Sequence, residues 1–298
     1  MLAIWGKTRA FAGVSPCCSQ LRFIASADKD PIIQMAEQRR GKRYAHSLRN
    51  DRKLMRTTRI HVEQSLVLAT ELTLPAQAAE HVARVLRMNT GDVLTVFNGD
   101  GFDYVATLVN VGKRDVVVRL DSREEVANES PLRLTLAQGV ARGEKMDLIV
   151  QKATELGVAR IVPLFTERSE VKLDAARAEK RLQHWRAVAA SACEQSGRVR
   201  VPEVAPAQAL QGWLESLEDN DAQRLALLPE GTLRAREVPF GQAGGLLVVG
   251  PEGGLGERDV AALREAGFQG LRLGPRILRT ETAGLAALAA LQTLHGDL

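Results

Sequence analysis

Two uninterrupted apolar runs, Leu225-Ala226-Leu227-Leu228 and Leu246-Leu247-Val248-Val249, constrain the fold of this chain more than any other feature. A strand with one face in water alternates apolar and polar residues. A continuous run marks a strand covered on both faces, the condition of a parallel sheet. The surrounding sequence supplies covers. Leu132–Ala137 reads as a strand, followed by the helical stripe Met146, Ile149, Val150, Ala153 and Leu156. That stripe stops at Gly157, a residue suited to the left-handed turn that ends a helix. Ile161–Phe165 is a further strand, and Leu182, Trp185, Ala189 and Ala192 mark a long helix. Val260 and Leu263 belong to another helix, Leu271–Leu273 to a short strand, and residues 281–294 form an Ala/Leu-rich helix. Strand and helix in alternation predict an α/β fold with helices on both faces of a parallel sheet. No internal repeat is present.

A different rhythm precedes it. From Arg59 to Ala127 short β-branched runs dominate: Arg59–Val62, Asp92–Phe97, Tyr104–Val109 and Asp115–Leu120. They predict a small β-barrel over residues 58–127, with Glu124, Glu125 and Pro131 marking the linker to a second domain, residues 131–298. One helix, Ala78–Met88, interrupts the strands. Val82, Val85 and Leu86 give it a buried stripe, and His81, Arg84 and Arg87 fall on another face.

Charge divides the chain again. Residues 1–58 hold 12 Lys and Arg against 4 Asp and Glu, leaving 28 of the 40 basic and 32 of the 36 acidic residues for the remainder. The net +4 therefore belongs to the leader, and the body is slightly acidic. A nucleic-acid ligand would have to be held by a local basic patch. Residues 1–57 are expected to be a basic leader without a core. They read as an unstructured extension or an upstream start with Met55 beginning the functional protein. A transit peptide is the sharper alternative, since residues 1–27 carry Arg and Ser and no acid, and a basic RNA-touching arm is a third. A content of 45% hydrophobic and 26% charged residues is that of a globular protein. No apolar run approaches the ~20 residues that span a bilayer, so no membrane partner is expected. Cys17, Cys18 and Cys193 have no metal-ligand spacing, and their number suggests a reducing compartment, with cytoplasmic location the expectation.

Three loops follow three of the predicted strands. They are Leu228-Pro229-Glu230-Gly231, Gly250-Pro251-Glu252-Gly253-Gly254-Leu255-Gly256, and Gly274-Pro275-Arg276-Ile277-Leu278-Arg279-Thr280-Glu281-Thr282-Ala283. Ligands of open α/β sheets gather at the carboxyl ends of strands, so all three are expected to line one crevice. The third loop runs into a helix, whose free N–H groups at Thr282 and beyond would be donors. A P-loop is excluded because Gly254 is followed by Leu255-Gly256-Glu257, and the glycine spacing is not that of a dinucleotide fingerprint. Glu252 and Glu257 would repel phosphates. A phosphate-free ligand held by backbone amides fits better, against the plainer alternative of tight turns alone.

Four blocks now carry a resemblance: Gly250-Pro-Glu-Gly-Gly254, Leu273-Gly-Pro-Arg-Ile-Leu-Arg-Thr-Glu-Thr-Ala283, Gln151-Lys-Ala-Thr-Glu-Leu-Gly157 and Ser191-Ala-Cys-Glu-Gln-Ser-Gly-Arg198. Together with Val85-Leu-Arg-Met88 they resemble, in order over residues 59–298, the bacterial 16S rRNA uridine N3-methyltransferases. These form the ribosomal small subunit methyltransferase E family of the SPOUT superfamily. The resemblance implies a PUA-like barrel, a SPOUT-type parallel sheet with a C-terminal trefoil knot, a homodimer, and AdoMet (S-adenosyl-L-methionine) as methyl donor without a metal. By position it places Leu228, Gly250, Pro251, Glu252, Gly253, Leu273, Gly274, Leu278, Thr280 and Thr282 around the cofactor. The implied partner is 16S rRNA, in the small ribosomal subunit or a late precursor.

Uracil N3 carries a proton at neutral pH and attacks poorly until it is lost, so a carboxylate or a cation beside the cofactor loop would help. Glu281 and Arg279 are the candidates; a helix-terminus carboxylate and an ion pair are the structural alternative. Glu194 has the same ambiguity, and Glu155 is expected to pair with Lys152. For RNA the candidates are Arg84, Arg87, Arg142, Lys145, Lys152, Arg168 and Arg198, each of which singly also reads as a solvated surface charge. Cys193 is expected to be a packed thiol, and His184 and His295 to be helix-surface residues. Two other functions stay open: a SPOUT methyltransferase acting on a ribose 2′-hydroxyl or another rRNA or tRNA base, and a non-catalytic RNA-binding protein.

Overall fold

The computed structural model describes residues 58–112, 115–170 and 174–298. Residues 1–57, read above as a leader and including Cys17, Cys18 and Met55, lie outside the described residues.

The first sheet contains β1 (Arg59–His61), β2 (Glu71–Thr73), β3 (Val93–Phe97), β4 (Phe102–Val111) and β5 (Val116–Glu125). Their order is β1-β3-β4-β5-β2, with β1 parallel to β3 and the other pairs antiparallel. The inward residues Ile60, Leu94, Val96, Tyr104, Leu108 and Val118 form its own core. β5 runs through Glu124 and Glu125, which pair with Asp103 and Phe102 of β4, so these acids belong to a strand and not to the linker.

The helix expected over Ala78–Met88 is shorter and differently wound. α1 (Ala76–Glu80) passes into a π-turn over His81–Val85, where the Leu86 amide donates to the His81 carbonyl five residues back at 2.9 Å. The wider turn rotates the chain out of the i, i+3, i+4 register. Val82 is buried as predicted, but Val85 is 66% exposed and Leu86 39%. Arg87 then takes a positive φ of 53°, which ends the segment.

The second sheet is wholly parallel. Its strands are β6 (Leu134–Gly139), β7 (Arg160–Phe165), β8 (Glu203–Val204), β9 (Gln208–Ala209), β10 (Gln223–Leu227), β11 (Gly245–Val249) and β12 (Gln269–Leu271). The order is β12-β10-β11-β6-β7-β8, with β9 also paired to β7. The helices are α2 (Lys145–Glu155), α3 (Ala175–Ser196), α4 (Leu210–Glu215), α5 (Glu257–Glu265) and α6 (Thr280–His295). Successive residues of β11 show why its run is continuous. Leu247 packs in a core with Met146, Ile149, Trp185 and Leu288 from α2, α3 and α6, whereas Val248 faces Trp213 and Phe268 on the α4 and α5 side. The α/β architecture with a parallel sheet stands as expected. The two-residue strands β8 and β9 and the helix α4 went unpredicted. Among the described residues no helix is long and apolar enough to cross a membrane.

Candidate functional site

The carboxyl ends of β10 and β12 and the start of α6 enclose a hollow of about 120 Å³. Leu228, Leu273, Gly274 and Leu278 of the predicted set line it, with Pro229 and Ala283. The first and third loops thus share one crevice. No residue of the second loop is among those lining the hollow, contrary to the expectation for all three loops; it is tied to the third loop through Thr280, whose hydroxyl donates to the Gly250 carbonyl at 2.6 Å. Pro251 reaches back toward β6: a Cβ on Gly139 would lie 2.5 Å from Pro251 Cδ and N, so only glycine lets loop and strand meet. Gly253 abuts Arg168, whose guanidinium donates to its carbonyl at 3.1 Å.

Sequence reasoning missed the residue that fastens this corner. Gln138, fully buried near the end of β6, donates to the Thr280 hydroxyl at 2.9 Å and to the Gly139 carbonyl at 3.0 Å. A buried amide bonded across 142 positions fixes the start of α6 against the sheet. Its only signal in the sequence is one polar residue closing an apolar strand. Gln292 does the same at the other end of α6, accepting from Ser130 at 2.6 Å and donating to the Gly157 carbonyl at 3.4 Å.

The donors expected at Thr282 and beyond are already used. The amides of Thr282 and Ala283 both donate to the Arg279 carbonyl, at 2.9 and 2.8 Å. The helix begins at Thr280, so the amides still facing the loop are those of Thr280 and Glu281. Arg279 is the cap residue, exposed, in an extended backbone conformation.

Glu281 lies in the first turn of α6, 18% exposed at its side chain, with Oε2 buried and without a hydrogen-bond partner among the described residues. Lys145, at the start of α2, stands 3.7 Å from that oxygen and 3.2 Å from Glu252 Oε1. Burial works against the charge of Glu252, yet the Arg142 amide at 3.0 Å and the Lys145 ammonium outweigh it and hold its carboxyl below the usual range. Lys145 thus stands between two carboxylates, while Arg272 and Arg276 line the hollow itself. Among the described residues no group of His, Cys, Asp or Glu could hold a metal ion.

The predicted RNA contacts separate into three sets. Arg142, Lys145 and Arg168 cluster around the second loop, Arg142 in an ion pair with Glu170. Arg84 and Arg87 are exposed on the first sheet's π-turn segment, Arg84 paired with Glu80 at 2.6 Å. Lys152 pairs with Glu155 at 2.8 Å, as expected of Glu155.

Arg198 is a correction. It is 6% exposed, and its guanidinium binds Glu129 at 2.6 Å and the carbonyls of Thr154 and Val158 at 2.8 and 2.9 Å. No face of it is left for a phosphate. It belongs to the joint between the two sheets, where Arg59 pairs with Asp103 at 2.6 Å and donates to the Arg198 carbonyl at 3.0 Å. Glu194 accepts the His61 amide at 2.9 Å in the same joint, and burial pushes its carboxyl up. Thr154 and Arg198, one from each of two signature blocks, therefore meet in this joint. Cys193 is the packed thiol expected, pushed up to about 12 by burial. His184 is exposed and bonded to Asp147 at 2.8 Å, whereas His295 is half-buried against Phe240.

Comparison with known proteins fits this geometry. Residues 128–292 match the RNA methyltransferase domain family, and residues 74–121 match the RNA methyltransferase PUA domain. A methyltransferase structure from Legionella pneumophila in complex with the cofactor SAM (AdoMet) is 39% identical, with a TM-score of 0.78 over 82% of this chain and 100% of that one. The ribosomal RNA small subunit methyltransferase E of Neisseria gonorrhoeae, bound to S-adenosyl methionine, is 38% identical with a TM-score of 0.77, covering 81% and 99%. The protein of that name from Bacillus subtilis is 35% identical over 79% of this chain and 96% of its own length. Fold and site define an RNA methyltransferase domain behind a PUA domain. The chain belongs to the ribosomal RNA small subunit methyltransferase E family.

Proposed function

We propose that this chain methylates N3 of a specific uridine in 16S ribosomal RNA, with AdoMet as donor. The observation that carries this reading is Glu281: a carboxylate in the first turn of α6, just past the loop that lines the crevice, with Oε2 turned to Lys145 and the side chain still 18% exposed, where a proton acceptor is needed. The crevice suits the adenosyl group. Leu228, Leu273 and Leu278 offer apolar walls to a purine, and the backbone of Gly274 offers polar edges. When bound, AdoMet supplies a methyl whose bond to sulfur breaks as its bond to N3 forms.

The rest is done by the chain. Glu281 takes the N3 proton and later releases it to solvent. Arg279, exposed at the cap, is placed to stabilise charge developing on the uracil oxygens. Arg142 and Arg168 beside the loops, with Arg84 and Arg87 on the first sheet, supply phosphate contacts to an unpaired RNA segment from which the base can be turned out. The same reading includes the C-terminal knot and a homodimer, both carried over from the family.

Nucleoside mass spectrometry of 16S rRNA from a strain lacking the gene is expected to show the loss of one N3-methyluridine, restored by the gene in trans. An unchanged level would defeat the assignment of base and position. Calorimetric titration with AdoMet is expected to give saturable binding; no heat together with no thermal shift would remove the cofactor.

A further inference from the structure

We propose that Lys145 is a positioning residue for methyl transfer, acting through Glu281. This rests on the reading of Glu281 as acceptor of the N3 proton. The Lys145 ammonium joins three chain segments: its own helix start, Glu252 of the second loop at 3.2 Å, and Glu281 of α6 at 3.7 Å. The Glu252 end is fixed, because the same Oε1 also accepts the Arg142 amide at 3.0 Å. Lys145 therefore holds Glu281 from a rigid base.

The carboxylate is oriented by this contact. Oε2 is the buried oxygen and points to Lys145, while the side chain keeps 18% of its exposure, which the rest of the group supplies. One oxygen is turned inward to the cation and the other is left to meet the substrate. Hydrogen bonds that could do this work instead are missing among the described residues, since Oε2 has none. Without the ammonium, Glu252 and Glu281 lose the cation that both contact, and Glu281 has a reason to turn into solvent. Glu252 keeps its bond to the Arg142 amide, so the cofactor loop keeps its shape. Lys145 makes and breaks no bond itself. The proton passes from N3 to Glu281, and the N3 electron pair takes the methyl.

A double-mutant cycle tests this. Lys145→Met is expected to lower kcat by about 30-fold with the Kd of S-adenosylhomocysteine, read by calorimetry, within about 3-fold of the parent. Lys145→Arg, which keeps the charge, should recover to within about 5-fold. On a Glu281→Gln background, Lys145→Met should cost less than about 3-fold more. Losses that multiply across the two sites would overturn the proposal, as would an arginine variant no better than methionine, or a Kd that rises as far as kcat falls. A wild-type protein that forms no N3-methyluridine is a separate result: it removes the base assignment. Full turnover by Glu281→Gln removes the residue through which Lys145 acts, and the proposal with it.

Discussion

Replacing Glu281 with glutamine is expected to cut turnover on ribosomal RNA by about 100-fold or more while moving AdoMet affinity by less than about 3-fold. The asymmetry follows from position. Leu228, Leu273, Gly274 and Leu278 line the crevice, and Glu281 is not among its lining residues. Glutamine has the same shape and keeps the first turn of α6 intact. It gives up a favourable charge at the helix N-terminus, roughly 0.3–1 kcal/mol, which is too little to unfold the domain. On the proposed reading, what it cannot do is take a proton from N3, a contribution of the order of 10²–10⁴ in rate. Steady-state kinetics beside calorimetry checks this. Equal losses in turnover and affinity would reduce Glu281 to a wall of the pocket.

Arg198→Met is expected to act on the opposite side of the balance. Removing one partner of a buried, hydrogen-bonded ion pair takes the guanidinium from Glu129 and from the carbonyls of Thr154 and Val158, although Glu129 keeps the Arg200 amide and Thr154 the Gly157 amide. Such losses cost about 3–5 kcal/mol, and Glu129 keeps 24% side-chain exposure, so the lower end applies. For a structured body of this size about 3 kcal/mol corresponds to a fall in Tm of roughly 6–12 °C. The salt dependence of RNA binding should keep its slope, because no phosphate contact is lost. An unchanged Tm with a shallower slope would return Arg198 to the RNA surface.

What the sequence disclosed, and what it hid, follows from the range of the interactions. The parallel sheet was legible because Leu247 and Val248 are neighbours buried on opposite faces, and only a doubly covered strand requires that. The loops were legible because Gly250, Pro251 and Gly274 punctuate strand ends. The π-turn was not, since a stripe at 3.6 spacing is read on the assumption of regular winding, and Val85 and Leu86 turned outward when it failed. Gln138 and Gln292 were passed over because a lone polar residue in an apolar stretch acquires meaning only from a partner more than a hundred positions away. Arg198 misled for a related reason: a cation in a motif near the site looks like a ligand contact until its burial is known.

The place of β12 and α6 has a consequence for how the protein is made. Both follow every other strand in the sequence, yet β12 seats beside β10 and α6 starts against Gln138 and Gly250. A nascent chain leaving the ribosome has already offered the first sheet and most of the second before the third loop exists. The crevice thus cannot close before the third loop has been made. A ligand that binds there stabilises only chains in which the third loop has met the sheet, so its binding energy is available to the closed fold and to no earlier state.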